Sequence, residues 1–180
     1  MQNNLDLIGM KLESPCYCPS CGKKNFFEKK SKMFECSNCS FTFFKNVASA
    51  VGVIIHCNGK ILLTRRAKAP GKGLLDIPGG FCEENETPEK TAKREIKEEL
   101  NLNISELSYF VSFPNRYPYK DILYHTMDLI YTCNLNSFPD LTVDDEEINH
   151  IEWFDKKEIP INKIAFSSIK KALKLFQKYY

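Results

Sequence analysis

The chain has 180 residues, 43% of them apolar and 27% charged, which suits one ordinary domain or a small module plus one domain and excludes a wholly disordered polymer. Its 25 lysines and arginines against 23 acids leave a net +2, too little to argue from overall charge for nucleic acid or an anionic membrane. No apolar run approaches the roughly 18 residues a membrane helix needs, and residues 1–10 lack the basic start and apolar core of a secretory leader, so a cytoplasmic location and no membrane partner are expected.

The first feature along the chain is a cluster of five cysteines, Cys16, Cys18, Cys21, Cys36 and Cys39. In a reducing compartment two C-x-x-C pairs read as a metal site rather than as disulfides. Each pair can present two thiolates from a tight turn, and four thiolates make a closed tetrahedral site that suits structural Zn²⁺. Cys18, Cys21, Cys36 and Cys39 are the expected ligands. Cys16 is a surplus thiol that could stand in for Cys18, although the Cys-Pro-x-Cys form favours Cys18. Residues 22–35 leave room for a hairpin between the pairs. A piece of about 46 residues has a small core, so metal would supply much of its folding energy. Residues 1–46 thus resemble a zinc ribbon, followed by a second domain over 47–180. Cys57, Cys82 and Cys133 read as packed small hydrophobes.

Residues 47–56 form an apolar, β-rich run, and Asn58-Gly59 is a preferred two-residue hairpin turn because both positions need positive φ. Residues 60–64 are the return strand. A turn-rich loop over 69–73 and a short strand over 74–77 lead to Pro78, Gly79 and Gly80. Thr87 as N-cap and Pro88 at the first helical position start a helix that runs to Leu100, with Asn101 able to take the left-handed position after it. Residues 107–113 and 122–133 read as strands joined by a Pro- and Tyr-rich loop. Residues 151–154 read as a short strand and 162–179 as an amphipathic helix. His56 sits in an apolar strand as a structural residue, His125 lies on a strand that could face a cleft, and Asp76 with Arg65 and Arg66 read as solvated charges at its border.

The helix over 88–100 carries the strongest signal. Glu95, Glu98 and Glu99 are related by i,i+3 and i,i+4 steps and share one face. Ala92, Ile96 and Leu100 form an adjacent apolar face for packing on a sheet. Like charges at that spacing repel, and bound cations would offset the repulsion. Clustered carboxylates are hard oxygen ligands that select Mg²⁺ or Mn²⁺ over Zn²⁺.

The pattern Gly80-x5-Glu86-x7-Arg94-Glu95-Ile96-x-Glu98-Glu99-x-Asn101-Leu102 resembles the Nudix box, the signature of Nudix hydrolases, at eight of nine defined positions; Asn101 stands where the family has Gly. The resemblance covers residues 47–180. It implies an α/β fold, an α/β/α sandwich with a mixed sheet, and hydrolysis of the diphosphate linkage of a nucleoside diphosphate derivative. By the same resemblance Glu95, Glu99 and Glu98 hold Mg²⁺ or Mn²⁺, the Gly79 carbonyl is a further ligand, and Arg94 orients the carboxylates with Glu86 as partner. Glu98 and Arg94 are thereby candidate catalytic groups. The family often takes another acid from a loop outside the box. Glu147 is that candidate base or ligand, with Glu146 the alternate.

A zinc ribbon ahead of such a domain resembles the NADH pyrophosphatase group. Ser112, Pro114 and Pro118 match part of that group's motif after the box and Tyr117 replaces its Phe conservatively, whereas Phe113, Asn115, Arg116 and Lys120 depart from it. The spacing of Pro118 also resembles ADP-ribose pyrophosphatases. NADH or a related dinucleotide and ADP-ribose are the two substrate expectations. Phe113, Tyr117 and Tyr119 could stack a base and Arg116 could pair with a phosphate. A homodimer is compatible with the family. A different reading has the domain sensing a nucleotide without turnover while the ribbon grips nucleic acid, because Lys23, Lys24, Lys29, Lys30 and Lys32 interleave with Phe26, Phe27 and Phe34.

Overall fold

A computed structural model describes residues 16–120 and 122–180. The first fifteen residues of the expected ribbon, and with them the region in which a secretory leader was sought, lie outside the described residues. The chain falls into two compact units, one reaching to Val47 and taking in 118–124, the other made of Ala48–Tyr117 and His125–Tyr180.

In the first unit, β1 (Phe26–Lys30), β2 (Met33–Cys36) and β3 (Thr42–Phe44) form an antiparallel sheet in chain order. Its core holds little more than Cys18, Phe26, Phe34 and Cys36, with Phe41 against them. The Phe26 and Phe34 rings stack at 5.6 Å. So few buried side chains, each contributing roughly 1.5–3 kcal/mol when fully buried, do not hold a fold of this size unaided.

The second unit is built on a mixed sheet. β4 (Ala48–Cys57) runs parallel to β8 (Ile122–Asn134) and antiparallel to β5 (Lys60–Arg66). β5 pairs antiparallel with β9 (Ile148–Asp155) along its length and with the short β6 (Leu75–Asp76). β7 (Ser108–Tyr119) closes the far edge beside β8. Asn58 and Gly59 both have positive φ, 48° and 77°, as the hairpin turn requires. Alternation along β4 divides the interior. Val51, Val53 and Ile55 face α1 (Pro88–Leu100) through Ala92, Ile96 and Leu100, while Ile54 faces α2 (Ser167–Tyr179) through Ile169, Leu173 and Phe176. One helix on each side of the sheet makes the expected sandwich. Among the described residues, no helix is long and apolar enough to cross a membrane.

Three expectations need correction. The Pro- and Tyr-rich segment is not a loop: β7 continues through Pro114 and Pro118 to Tyr119. Proline lacks a donor, but β7 is the edge strand, where a missing N–H costs little. The strand expected at 151–154 extends over Ile148–Asp155, because β5 offers a partner along its whole length. The last helix begins at Ser167 rather than 162. Ala165 N–H donates to the Leu75 carbonyl at 2.8 Å and Ile164 bridges to Leu75, holding the chain extended there after a single 3-10 turn over Ile161–Lys163.

Candidate functional site

The carboxylate helix starts as its caps dictate. Thr87 Oγ1 accepts from the Lys90 N–H at 3.3 Å, Pro88 opens the first turn, and Asn101 ends the helix at φ 51°. Its buried face fixes the rotation about the axis, so Glu95 and Glu99 turn toward the sheet edge while Glu98 stays largely exposed. Glu98 and Glu99 occupy the last turn, the negative end of the helix dipole, which adds to their mutual repulsion.

Residues 78–82 run along β4. Val51 N–H donates to Gly80 O at 2.8 Å, Val53 N–H to Pro78 O at 2.9 Å, and Cys82 N–H to Ser49 O at 3.0 Å. This contact explains the Gly-Gly pair. A Cβ on Gly79 (φ 144°) would run into the Val51 carbonyl, and one on Gly80 into the Glu95 carboxylate. The Gly79 N–H, left free by that path, donates to Glu99 Oε2 at 3.0 Å.

Arg94 is the hub of the cluster. Its Nε and Nη2 form a fork on Glu86 at 2.9 and 3.0 Å, and Nη1 donates to Glu95 at 2.7 Å and Glu98 at 3.0 Å. Nη2 also donates to the Phe81 carbonyl at 3.1 Å. Thr91 Oγ1 donates to Glu86 at 2.8 Å. The Arg94 fork, helped by Thr91, holds the Glu86 carboxyl down at about 2. Glu99 behaves oppositely. Burial pushes its carboxyl well above the usual range; the Gly79 N–H opposes that, while Glu95, Asp76 and Glu147 add repulsion. Burial also raises Glu95, against the pull of Arg94 and with repulsion from Glu98 and Glu147.

Glu147 lies in the segment before β9, which is tied to the end of the box helix. Thr142 N–H donates to Leu100 O at 3.3 Å and Asp144 N–H to Glu99 O at 3.1 Å, satisfying open carbonyls at the helix C-terminus. Glu147 O accepts from Ala67 N–H at 2.9 Å. Of the two adjacent acids, Glu147 is the one whose charge acts on both Glu95 and Glu99. Lys68 Nζ lies 3.6 Å from Glu146 and 3.9 Å from Glu147.

A second cluster adjoins the first through Phe81. Its ring meets Tyr117 edge-on at 5.3 Å, and Tyr117 lies 5.5 Å from Phe166. The Arg66 guanidinium sits 4.9 Å over Phe166, donates to Asp76 at 2.9 Å and to Pro70 O at 2.7 Å, and reaches the Tyr117 hydroxyl at 3.5 Å. Asp76 is therefore a buried ion-pair partner and not a solvated border charge. Burial raises it to about 6 in spite of Arg66. Residue order gave no sign of this pair or of Phe166; the one available signal was a charged dipeptide ending an apolar strand. Of the residues expected to touch substrate, Tyr117 packs on Phe81, whose carbonyl accepts from Arg94. Phe113 packs toward α2 with Lys171 at 5.6 Å over its ring, and Arg116 is exposed. His56 packs at 5.2 Å on Phe176, and His125 is exposed.

In the first unit, the Sγ atoms of Cys18, Cys21, Cys36 and Cys39 all lie within 4.8 Å of one another. Cys18 to Cys39 is 3.8 Å and Cys21 to Cys36 is 3.7 Å. A Zn–S bond of about 2.3 Å gives a tetrahedral edge of about 3.8 Å, which these two separations match, so the four thiols fit Zn²⁺. Gly22 and Ser40 follow their pairs with φ of 71° and 59°, and each N–H closes its turn onto the first cysteine's carbonyl. Cys16 is not in the set: it bridges to Phe26, and its thiol points at the Phe26 carbonyl at 3.4 Å.

The family model for the NUDIX domain matches residues 46–176. Curated relatives include the NAD-capped RNA hydrolase NudC of Vibrio parahaemolyticus, 26% identical over 152 residues, and that of Vibrio atlanticus, 27% identical over 152 residues. These alignments cover 84% of this chain but 55% and 54% of the relatives, so the chain spans about half the length of the curated relatives it matches. Among solved structures, a NUDIX hydrolase from Nitrosomonas europaea superposes with a TM-score of 0.66 at 27% identity, covering 90% of each chain. The NUDIX domain of Shewanella oneidensis NrtR, complexed with ADP ribose, superposes at 0.63 with 18% identity over 76% of this chain and 91% of that one, a likeness of fold.

Proposed function

The chain belongs to the Nudix family, and from that premise we propose that it is a Mg²⁺- or Mn²⁺-dependent hydrolase of the diphosphate linkage in NAD-related nucleotides. The observation that carries the reading is Glu99: a carboxylate buried on the box helix, fixed by the Gly79 N–H at 3.0 Å, and disfavoured in its charged form first by burial and then by the charges of Glu95, Asp76 and Glu147. A hard divalent cation is the natural counter-charge for such a donor set. NADH, ADP-ribose and NAD-capped RNA are the substrates suggested by the relatives' names and by the ribbon-plus-box architecture.

Glu95, Glu98 and Glu99, with the Gly79 carbonyl, would hold the metal, which when bound neutralises the diphosphate charge and lowers the barrier to attack at phosphorus. The protein's own groups do the rest. Arg94 orients Glu95 and Glu98 through its fork on Glu86. Water attacks one phosphorus; its proton passes to the Glu147 carboxylate, and the bridging oxygen leaves on the other phosphate. Tyr117, beside Phe81 and Arg66, offers an aromatic wall for a base. Cys18, Cys21, Cys36 and Cys39 would hold a structural Zn²⁺ and fold the ribbon as a separate module.

The test is turnover of NADH, ADP-ribose and an NAD-capped RNA oligonucleotide with Mg²⁺ or Mn²⁺, comparing the parent with Glu98→Gln and Glu99→Gln. Parent turnover lost in Glu99→Gln supports the reading; unchanged turnover in both variants rejects the assigned roles. Nucleotide binding without turnover in the parent would leave a sensor in place of an enzyme.

A further inference from the structure

The ribbon sheet has one face that its own core does not use. In an antiparallel sheet, residues directly opposite one another share a face, and neighbours along a strand alternate. Phe26, Phe34 and Cys36 turn inward. Phe27 lies opposite Glu35, which lies opposite Thr42, and Met33 lies opposite Phe44, so these five turn outward. Phe27 is 36% exposed and Phe44 57%.

A β-bulge changes the charge of that face. The register passes from Glu28 opposite Phe34 to Lys30 opposite Met33, leaving Lys29 as the extra residue. Lys30 therefore shares the face of Met33, and Lys29 Nζ lies 2.7 Å from outward-facing Glu35. Two consecutive lysines thus project on one side, which regular alternation forbids. The single acid of the face is spent on Lys29, and among the described residues no carboxylate lies within ion-pair distance of Lys30. Residues 16–47 hold six lysines against two glutamates, a surplus of four that a Zn²⁺ bound by four thiolates lowers to two.

We propose that this outer face, formed by Phe27, Met33 and Phe44 with Lys29 and Lys30, is a docking platform for single-stranded RNA. Phe27 and Phe44 lie two strands apart and two residues offset, about 12 Å between Cα atoms by standard sheet spacings, so they can each take a separate base. Planar side chains bind unpaired bases of any sequence, and flanking lysines track the backbone. A second copy of the same face would set lysine against lysine, and a duplex keeps its bases stacked on one another. The choice of RNA rests on the proposed action on NAD-related nucleotides, where a strand extending from the nucleotide would need a hold of its own.

The experiment measures fluorescence anisotropy of a labelled, U-rich RNA oligonucleotide with the zinc-loaded full chain across a salt series, and zinc content for every variant. Phe27→Ala and Phe44→Ala are each expected to weaken binding about tenfold. Lys30→Gln, which touches no core residue, is expected to lower the salt slope by about 0.7 while ADP-ribose turnover stays at the parent level. Glu99→Gln is expected to keep full RNA affinity, so loss of turnover with intact binding strikes only the proposed reaction. Parent-level RNA affinity in Phe44→Ala and Lys30→Gln, equal affinity for duplex RNA, or no binding at low salt overturns the platform.

Discussion

The two clusters of ligand-type side chains solve opposite problems. The four thiols converge within 4.8 Å of one another with each knuckle closed by a backbone N–H, so a soft ion would complete the site and leave no open position. The carboxylates are held only in part. Arg94 takes one oxygen of Glu95 and one of Glu98, the Gly79 N–H takes one of Glu99, and the remaining charge of Glu95, Glu99 and Glu147 is left to repel. A closed set of soft donors suits folding, and an open, self-repelling set of hard donors suits binding an ion together with a charged substrate. The same contrast appears in the cores: the first unit has almost none, while the second buries aliphatic side chains on both faces of its sheet.

The largest expected break in this contrast is Cys36→Ser. It should abolish zinc binding, an association worth about 10–16 kcal/mol in isolated zinc modules, and unfold the ribbon while the second unit keeps its own melting transition. Metal analysis with limited proteolysis checks it, and retention of one zinc per chain would break the tetrathiolate assignment. Next comes Glu99→Gln, expected to lower kcat about a hundredfold or more, read from steady-state kinetics on ADP-ribose. Arg94→Lys keeps the charge but loses the fork, and about a tenfold to hundredfold loss in kcat with little change in thermal stability is expected.

The pH dependence sharpens the same comparison. Burial and neighbouring acids raise Glu99 and Glu95, so the folded state binds protons more tightly than the unfolded chain does. Their favourable contribution is complete below the unfolded carboxylate value, about 4.3, and is lost as pH rises through the raised folded values. Divalent cation should restore it. The Tm increment produced by Mn²⁺ should therefore grow as pH rises above the ordinary carboxylate range, and a pH-independent increment would remove the carboxylates as the binding site. Smallest of all, Thr87→Ala should cost about 1 kcal/mol of stability through the lost N-cap, measurable by denaturant unfolding.

What could be read without coordinates was mostly local. Thr87, Pro88 and Asn101 bounded α1 because caps and left-handed positions depend on near neighbours. Asn58 and Gly59 marked their turn for the same reason. The start of α2 was misplaced because helical spacing continues through Ile164, whereas pairing with Leu75, distant in sequence, keeps that residue extended. The edge position that lets β7 hold Pro114 and Pro118 is likewise a property of strand order.

Residue order therefore determined the donor types, their spacing and the ends of the carboxylate helix, since each follows from side-chain chemistry within a few turns of backbone. The tertiary structure alone decided that Gly79 meets Glu99, that Arg66 and Asp76 are buried together, and that a bulge puts two lysines on one face. Those relations depend on burial and strand register, which are set by contacts between segments that the linear spacing of residues does not encode.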